Sequence, residues 1–291
     1  MPATDKLILG TVQFGLDYGI NNRNGKPGPE RVASILDLAF SNNIRLLDTA
    51  EAYGDAQEVI GNYHSTSAHR FEVITKFSAG RSNLSSDLAE RVAQDLEALR
   101  LESLYGYMFH SYKDFETYYD RYSSKLDALK AQGLIRKFGV SVYTNSELEQ
   151  LLSYPVDLVQ LPFNMLDNQS QRGALIAAAK TKGMEVHTRS VFLQGLFFME
   201  ALPEKLKALK PYLDDIRQLA KQYNIGLSDI ALNYAVHQKQ IDHVLIGVDT
   251  VEQLWENMAS LEKHISTELA ERLDHLHVQE SSLLNPSTWN A

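Results

Sequence analysis

The feature that most constrains the fold of this 291-residue chain is an alternation between short apolar runs and longer amphipathic segments. Eight runs of strand length alternate with segments whose apolar residues recur every three or four positions, as they do in helices. This order predicts a parallel sheet with right-handed crossovers, and eight such units close into a (β/α)8 barrel of about 250 residues. The predicted strands are residues 6–11, 44–48, 71–75, 104–109, 137–142, 156–161, 184–188 and 243–246.

Helices are predicted between these strands from apolar periodicity and from residues that begin or end helices. Pro29 suits the first turn of a helix, Gly133 suits a helix end, and Thr250 with Gln253 forms a capping-box pattern. The predicted helices cover residues 29–42, 56–63, 84–99, 115–132, 145–152, 173–182, 211–223, 228–237 and 267–277, with one more after residue 250 and a long loop over 191–202.

A doubly wound open sheet is the alternative architecture. It is disfavoured because no Gly-x-Gly-x-x-Gly motif follows the first strand. No linker or low-complexity segment divides the chain. Residues 1–291 are therefore predicted to form one α/β domain, a (β/α)8 barrel of the TIM type.

Composition excludes several classes of function. A net charge of −9 leaves no basic block to neutralise nucleic-acid phosphates. The absence of cysteine excludes disulfides and cysteine-based metal sites or nucleophiles. No apolar run approaches the roughly 20 residues of a membrane helix, and residues 1–6 do not begin a signal peptide. We therefore expect a cytoplasmic protein, monomeric or weakly homo-oligomeric, that binds neither nucleic acid nor membrane.

Four chemically active side chains follow the second, third and fourth strands: Asp48, Tyr53, Lys76 and His110. Each alone has a structural explanation, as a helix cap, surface packing, a solvated strand end or a near-core histidine. In a barrel, however, the carboxyl ends of neighbouring strands meet around one mouth, where the catalytic groups of this fold lie. The lysine is expected to lower the tyrosine pKa, ordinarily about 10, by stabilising the phenolate. The set predicts a general acid for a carbonyl oxygen.

The chain resembles the aldo-keto reductases over essentially its whole length. The resemblance lies in residues 47–54 (LDTAEAYG), 74–76 (ITK) and 109–111 (FHS). Members of that family are (β/α)8 barrels that move hydride between a nicotinamide cofactor and a carbonyl. The resemblance implies an NAD(P)H-dependent oxidoreductase that reduces an aldehyde or ketone to the alcohol.

The resemblance also gives each of the four side chains a role. Tyr53 is the implied proton donor, Lys76 and Asp48 are its activators, and His110 orients the substrate. One alternative is a cofactor-binding regulatory barrel without catalysis, against which the intact set argues. The other is a metal-dependent isomerase or aldolase; no metal is expected, because the chain lacks a compact motif such as His-x-x-x-His. In that alternative enzyme the metal ligands would be Asp48, Glu51, His110 and His187.

A nicotinamide cofactor extended across the barrel mouth is implied as well. Ser141 and Gln160 match the family's carboxamide-binding residues, although Val142 stands where the family has an asparagine. Arg189 stands where the family stacks an aromatic ring on the nicotinamide, and a planar guanidinium can also stack. The implied cofactor-binding residues are Gly10, Thr11, Asp48, Ser141, Gln160, Arg189, Ser190, Phe192, Leu193, Gln194, Gly195, Ile246, Gly247, Val248, Asp249, Thr250, Gln253, Glu256 and Asn257.

NADPH is the expected cofactor, with NADH as the alternative. Most of the family holds the 2′-phosphate with cationic or hydroxyl side chains after the last strand. Asp249 lies in that segment, so we expect a weaker preference for NADPH over NADH than is usual in the family.

The substrate site is predicted to be lined by aromatic side chains and by polar groups, including Gln13 and Asn21. Such a lining suits a sugar-derived aldehyde, another small polar carbonyl or an aromatic aldehyde. The tail after Leu284 is expected to dock near the mouth as a lid. The predicted lining residues are Phe14, Tyr18, Phe77, His110, Tyr112, Tyr143, Phe192 and Trp289.

Overall fold

Parallel strands close into a barrel in which each strand pairs with the next one along the chain and the last pairs with the first. The structure is a computed structural model, and it describes residues 3–18, 25–80 and 87–289. The predicted (β/α)8 fold class is confirmed; that residues 1–291 form one domain stays a prediction. The strands are β1 (Leu7–Gly10), β2 (Leu46–Asp48), β3 (Glu72–Phe77), β4 (Leu104–Phe109), β5 (Ile135–Ser141), β6 (Leu158–Pro162), β7 (Glu185–Arg189) and β8 (His243–Gly247).

Helices follow the strands and cover the outside of the barrel. They are α1 (Val12–Gly15), α2 (Pro29–Ser41), α3 (Ala56–Thr66), α4 (Leu88–Leu99), α5 (Tyr112–Ala131), α6 (Asn145–Leu151), α7 (Gln169–Thr181), α8 (Lys210–Tyr223), α9 (Leu227–Val236), α10 (Val251–Ser260) and α11 (Thr267–Asp274). The predicted loop 191–202 contains a 3₁₀ helix at Leu193–Phe198. The first residues of the predicted helix 84–99 lie outside the described ranges.

The helices α5 and α7 begin three and four residues earlier than predicted, because a capping side chain precedes each of them. The Ser111 side chain accepts a hydrogen bond from the Asp114 amide before α5. The Asn168 side chain accepts one from the Ser170 amide before α7. Each cap satisfies an amide that the first turn of a helix leaves unpaired.

Side chains alternate between the inside and the outside of the barrel along each strand. Ile8, Leu46, Ile74, Met108 and Leu158 form a small apolar cluster of their own, while the larger core packs the strands against the helices. Two positions beyond four members of the inner cluster, the chain carries charged or polar residues. These are Asp48, Lys76, His110 and Gln160. The apolar cluster thus underlies a polar layer at the barrel mouth.

The opposite end of the barrel is closed by hydrogen bonds to one carboxylate, Glu185. The Tyr105 hydroxyl donates to Glu185 Oε1 at 2.7 Å, and Lys137 donates to Oε2. His187 Nε2 lies 2.8 Å and His243 Nε2 lies 3.4 Å from Oε1. Glu185, His187 and His243 have side chains of the kind that bind metals, but the tyrosine and the lysine already occupy both carboxylate oxygens. Hydrogen bonding thus accounts for both carboxylate oxygens, while Nδ1 of His187 and Nδ1 of His243 are buried without a partner among the described residues.

We predict that His187 makes the fold sensitive to acid. Burial lowers the pKa of His187 well below its usual 6.5, so the unfolded chain takes up a proton that the fold excludes. The free energy of unfolding is therefore highest above about pH 6.5. It decreases as the pH falls, by at most about 2 kcal/mol at pH 5. Urea unfolding at pH 7.5 and pH 5 should show a smaller loss of stability in His187→Gln than in wild type. The exposed His275→Gln is the control, and an equal loss in all three proteins would contradict the prediction.

Candidate active site

A buried ion pair between β2 and β3 forms the centre of the site. Lys76 Nζ donates to Asp48 Oδ1 at 2.5 Å and to the Thr49 carbonyl at 3.0 Å. The side chains of Lys76 and Asp48 are only 1% and 2% exposed. Gln160 Nε2, from β6, donates to the other oxygen of Asp48 at 2.8 Å. Both carboxylate oxygens are therefore engaged, and each charge has a partner, which burial requires.

Tyr53 reaches this pair from the loop that follows β2. The Tyr53 amide donates to the Ala50 carbonyl at 3.0 Å. Gly54 then turns the chain with φ of +59°, where a Cβ would overlap the Gly15 carbonyl oxygen. Lys76 Nζ lies 5.2 Å from the centroid of the Tyr53 ring, and the His110 ring stands edge-on to it at 5.5 Å. The four side chains expected at the barrel mouth are thus brought together.

The pKa of the Tyr53 phenol is raised well above its usual 10 by burial, and the Asp48 charge adds to that rise. Our expectation that Lys76 lowers it was wrong, because removal from water outweighs an ammonium that Asp48 already neutralises. Burial also lowers the pKa of Lys76. Burial, together with the positive charges of Lys76 and Arg189, lowers the pKa of His110 to about 3. Near pH 7 both the phenol and the imidazole are therefore neutral.

These side chains line a cavity of about 660 Å³ at the barrel mouth. Most of the predicted cofactor residues line it too. They are Gly10, Thr11, Asp48, Ser141, Gln160, Arg189, Ser190, Phe192, Gln194, Gly195, Ile246, Gly247, Asp249, Gln253 and Asn257.

Four predicted cofactor residues do not line the cavity. Leu193 and Val248 are buried in the core between strands and helices. The Thr250 side chain caps α10 by accepting a hydrogen bond from the Gln253 amide. Glu256 is exposed on the surface of that helix. Their role in cofactor binding stays a prediction.

Another part of the cavity wall is built around Arg189, the last residue of β7. Its guanidinium carbon lies 4.0 Å from the centroid of the Tyr143 ring, and Nη2 donates to the Val142 carbonyl at 3.1 Å. The following loop adopts left-handed conformations at Ser190, Leu193, Gln194 and Gly195. Such conformations at residues other than glycine are strained and cluster at ligand sites.

The cavity wall also presents two acceptors that lack donors among the described residues. Gln13 Oε1 and Asp249 Oδ1 are buried without a hydrogen-bond partner among the described residues. Burial raises the pKa of the Asp249 carboxyl. The Asp249 amide is held by Gln253 Oε1 at 2.7 Å. Of the lining residues that the structure describes, only Lys76 and Arg189 carry a cationic side chain.

Four predicted substrate residues lie away from the cavity. Phe14 is completely buried in the outer core. Phe77 points outward because Lys76 points inward, and it packs on Phe109. Tyr112 begins α5 and its hydroxyl donates to Gln150. The Trp289 indole N–H donates to the Leu283 carbonyl within the tail, at 3.0 Å.

Most of the remaining predicted substrate residues lie at the same cavity. Tyr18, His110, Tyr143 and Phe192 line the cavity, as does Gln13; Asn21 lies outside the described ranges. The tail does reach the cavity, through Pro286 rather than Trp289. Sequence reasoning missed six lining residues: Val12, Val191, Phe198, Ser228, Leu245 and Pro286. Only Leu245 had a usable signal, since it lies two positions before Gly247 on the same side of β8.

The alternative metal site is not assembled. Asp48 and His110 lie at the cavity, but the Glu51 carboxylate binds Arg91 between the barrel and the helices. His187 pairs with Glu185 at the other end of the barrel. Side chains that point in different directions cannot share one ion.

Comparison with known proteins agrees with this geometry. The model of the Aldo/keto reductase family matches residues 6–277. The chain belongs to this family. An aldo/keto reductase is an oxidoreductase, and similar curated proteins are named as reductases. Within the described ranges, no helix has the length and apolar character needed to cross a membrane.

Individual relatives are distant but cover most of the chain. An Escherichia coli (strain K12) protein named NADH-specific methylglyoxal reductase is 24% identical over 81% of this chain and 83% of its own length. The holo form of the aldo-keto reductase AKR11C1 from Bacillus halodurans superposes with a TM-score of 0.76 at 19% identity, covering 94% of each chain. An aldo-keto reductase from Klebsiella pneumoniae in complex with NADPH gives a TM-score of 0.70 at 17% identity, covering 96% of this chain and 94% of that one.

We predict that His110 does not titrate between pH 5 and pH 8. Its pKa is lowered to about 3, whereas a free histidine titrates near 6.5. The ring C–H signals, assigned by their loss in His110→Gln, should keep constant chemical shifts across this range in NMR spectra. A titration midpoint between pH 5 and pH 8 would show that the imidazole is more hydrated than the structure indicates.

Proposed function

We propose that the protein reduces an aldehyde or ketone to the alcohol, using hydride from NAD(P)H and a proton from Tyr53. The observation that carries this proposal is the meeting of Tyr53 with the Lys76–Asp48 pair and His110 at one cavity. A bound nicotinamide would supply the hydride to the carbonyl carbon. The proton on the oxygen must then come from the protein or from water.

Tyr53 is the best-placed acid among these groups. Its phenol keeps its proton near pH 7, because burial raises its pKa. The Lys76 ammonium is committed to Asp48 Oδ1 and the Thr49 carbonyl. The neutral His110 can donate a hydrogen bond to the carbonyl oxygen and so orient it. A positioned acid of this kind typically contributes roughly 10²–10⁴ in rate.

The cavity residues fit a nicotinamide dinucleotide. Gln160 uses its amide nitrogen on Asp48, so its amide oxygen is not used in that bond and suits a carboxamide. Ser141 pairs with Gln160 across β5 and β6 and would act beside it. The buried acceptors of Gln13 and Asp249 suit hydroxyl or amino donors of an adenosine.

A small polar carbonyl, such as a sugar-derived aldehyde, is the substrate class we propose. The cavity mixes aromatic faces, from Tyr18, Tyr143 and Phe192, with polar groups such as Gln13. The Escherichia coli relative named as a methylglyoxal reductase supports a small carbonyl. A panel of aldehydes and ketones assayed through nicotinamide absorbance would rank these substrates.

Tyr53→Phe is the direct test of the mechanism. The variant should lose roughly 10²–10⁴ in kcat on the best substrate of the panel, because it lacks the proton donor. Cofactor affinity and the unfolding midpoint should stay close to wild type, since only one hydroxyl is removed. The matched control is Tyr154→Phe, which removes a phenol from the exposed surface. Wild-type turnover in Tyr53→Phe would refute the proposed role.

Cofactor choice should depend on Asp249. A carboxylate about 4 Å from a 2′-phosphate charge is repelled by ~4 kcal/mol at an effective dielectric near 20, an upper figure for a half-exposed group. Asp249 Oδ1, which is buried without a hydrogen-bond partner in the part of the chain that the structure describes, instead suits the 2′-hydroxyl of NADH. The amino terminus of α10 nearby favours an anion and offsets part of the repulsion. We therefore propose that both cofactors bind, with NADPH preferred less strongly than is usual in the family.

Measured Kd values for NADPH and NADH, from fluorescence quenching at low and moderate salt, test this balance. Any preference for NADPH should stay below about a hundredfold, or roughly 2.7 kcal/mol. Asp249→Ser should shift the ratio towards NADPH, whereas the exposed Glu256→Gln serves as a control that removes a charge from the same helix. A stronger NADPH preference in wild type, or an unchanged ratio in Asp249→Ser, would contradict the proposed role of Asp249.

A further inference from the structure

A second buried ion pair, between Glu51 and Arg91, lies directly behind the active site. Glu51 is 3% exposed and Arg91 is 4% exposed. Neither lines the cavity. Glu51 lies in the loop between β2 and α3, three residues after Asp48 and two before Tyr53, whereas Arg91 comes from α4. The pair therefore cannot touch a substrate, yet it adjoins the segment that carries two of the reacting groups.

The Glu51 carboxylate accepts hydrogen bonds from three separate elements. Arg91 donates from Nε to Oε1 at 3.1 Å and from Nη2 to Oε2. The Ser78 amide, just after β3, donates to Oε2 at 2.9 Å. The Tyr107 hydroxyl, from β4, donates to Oε1 at 3.1 Å. One carboxylate thus joins its own loop to a helix, a strand and a strand end.

The same contacts fix the end of β3. The Glu51 amide donates to the Lys76 carbonyl at 3.2 Å, and Arg91 Nη2 donates to the Ser78 carbonyl at 2.8 Å. The Arg91 guanidinium carbon also lies 4.1 Å from the centroid of the Phe77 ring. Lys76 and Ser78, the residues on either side of Phe77, are therefore both held in place. Lys76 is held by Glu51, and Ser78 is held by Glu51 and its partner Arg91.

Stability alone does not account for a buried ion pair at this place. Replacing such a pair by apolar side chains of similar volume is often neutral or stabilising, because both charges leave water on folding. Geometry, by contrast, is demanding at an active site: a displacement of about 1 Å caused from a distance can lower the rate roughly a hundredfold. The pair binds the two chain segments whose separation sets the distance between Tyr53 and Lys76.

We infer that Glu51 and Arg91 are positioning residues of the active site. They fasten the loop that carries Tyr53 to the end of β3 that carries Lys76, and so hold the phenol in place relative to the ammonium. This inference rests on the proposed role of Tyr53 as proton donor. It assigns to Glu51 and Arg91 an effect on proton transfer that acts entirely through Tyr53 and Lys76.

Two substitutions separate geometry from charge. Glu51→Gln keeps the size of the side chain but turns an amide NH₂ towards donors that need an acceptor. Arg91→Lys keeps the charge but cannot reproduce the two-pronged guanidinium contact. In both variants kcat, counted per cofactor-binding site, should fall between tenfold and a hundredfold, while the Kd of the cofactor changes less than threefold. The solvent deuterium isotope effect on kcat should rise, because proton transfer from a displaced phenol becomes rate-limiting.

A merely structural role would give a different result. Loss of folded protein lowers the number of cofactor-binding sites but leaves turnover per site and the isotope effect unchanged. Lys137→Met is the matched control, because it removes the cationic partner of Glu185 Oε2 at the other end of the barrel. It should reduce stability and leave kcat per site at the wild-type value. Tyr107→Phe, which removes one hydroxyl from Glu51, is the milder variant should the other two fail to fold, with a fall of about threefold expected.

The outcomes distinguish this inference from the proposed function. If Tyr53→Phe keeps its activity, the proposed function is wrong. If Tyr53→Phe loses activity but Glu51→Gln or Arg91→Lys keeps wild-type turnover per site and an unchanged isotope effect, only the positioning role is overturned. If neither Glu51→Gln nor Arg91→Lys folds, wild-type turnover per site and an unchanged isotope effect in Tyr107→Phe overturn the positioning role.

Discussion

The buried ion pair between Asp48 and Lys76 is the interaction on which the site depends. Neither charge could stay in the barrel mouth alone, because an unpaired charge away from water is strongly unfavourable. Asp48 takes its second hydrogen bond from Gln160, 112 positions along the chain. The carboxylate therefore needs β2, β3 and β6 in place at once. Closure of the barrel and assembly of the site are one and the same structural requirement.

Because side chains alternate along each strand, the two sides of the barrel wall have different roles. Inside, an apolar cluster underlies Asp48 and Lys76, and burial shifts the pKa values of Tyr53, Lys76 and His110. Outside, the neighbouring positions carry the hydrogen bonds and the aromatic packing that hold the strand ends. Glu51 belongs to this outer side, which explains how a residue between Asp48 and Tyr53 can be essential to their geometry without lining the cavity.

The sequence predicted the eight strands and the four residues at the mouth, because strand periodicity and strand ends are local signals. It failed where direction matters: Phe77 and Phe14 are aromatic and near the site in sequence but face the helices. The inward position of Lys76 could have excluded Phe77, since adjacent strand residues face opposite sides. Ser228 and Pro286 line the cavity although they belong to distant segments of the chain. No local sequence pattern predicts that these segments reach the cavity.

The state of Tyr53 shows why burial must be weighed against charge. A lysine beside a tyrosine stabilises the phenolate, but here Asp48 neutralises that lysine at 2.5 Å, so the tyrosine meets a pair with little net charge. Desolvation then dominates and the pKa of the phenol rises. If Tyr53 is the proton donor, such a weak acid gives up its proton only to a stronger base than phenolate. An alkoxide is a far stronger base than a carbonyl oxygen, so the raised pKa of the phenol favours hydride transfer ahead of proton transfer.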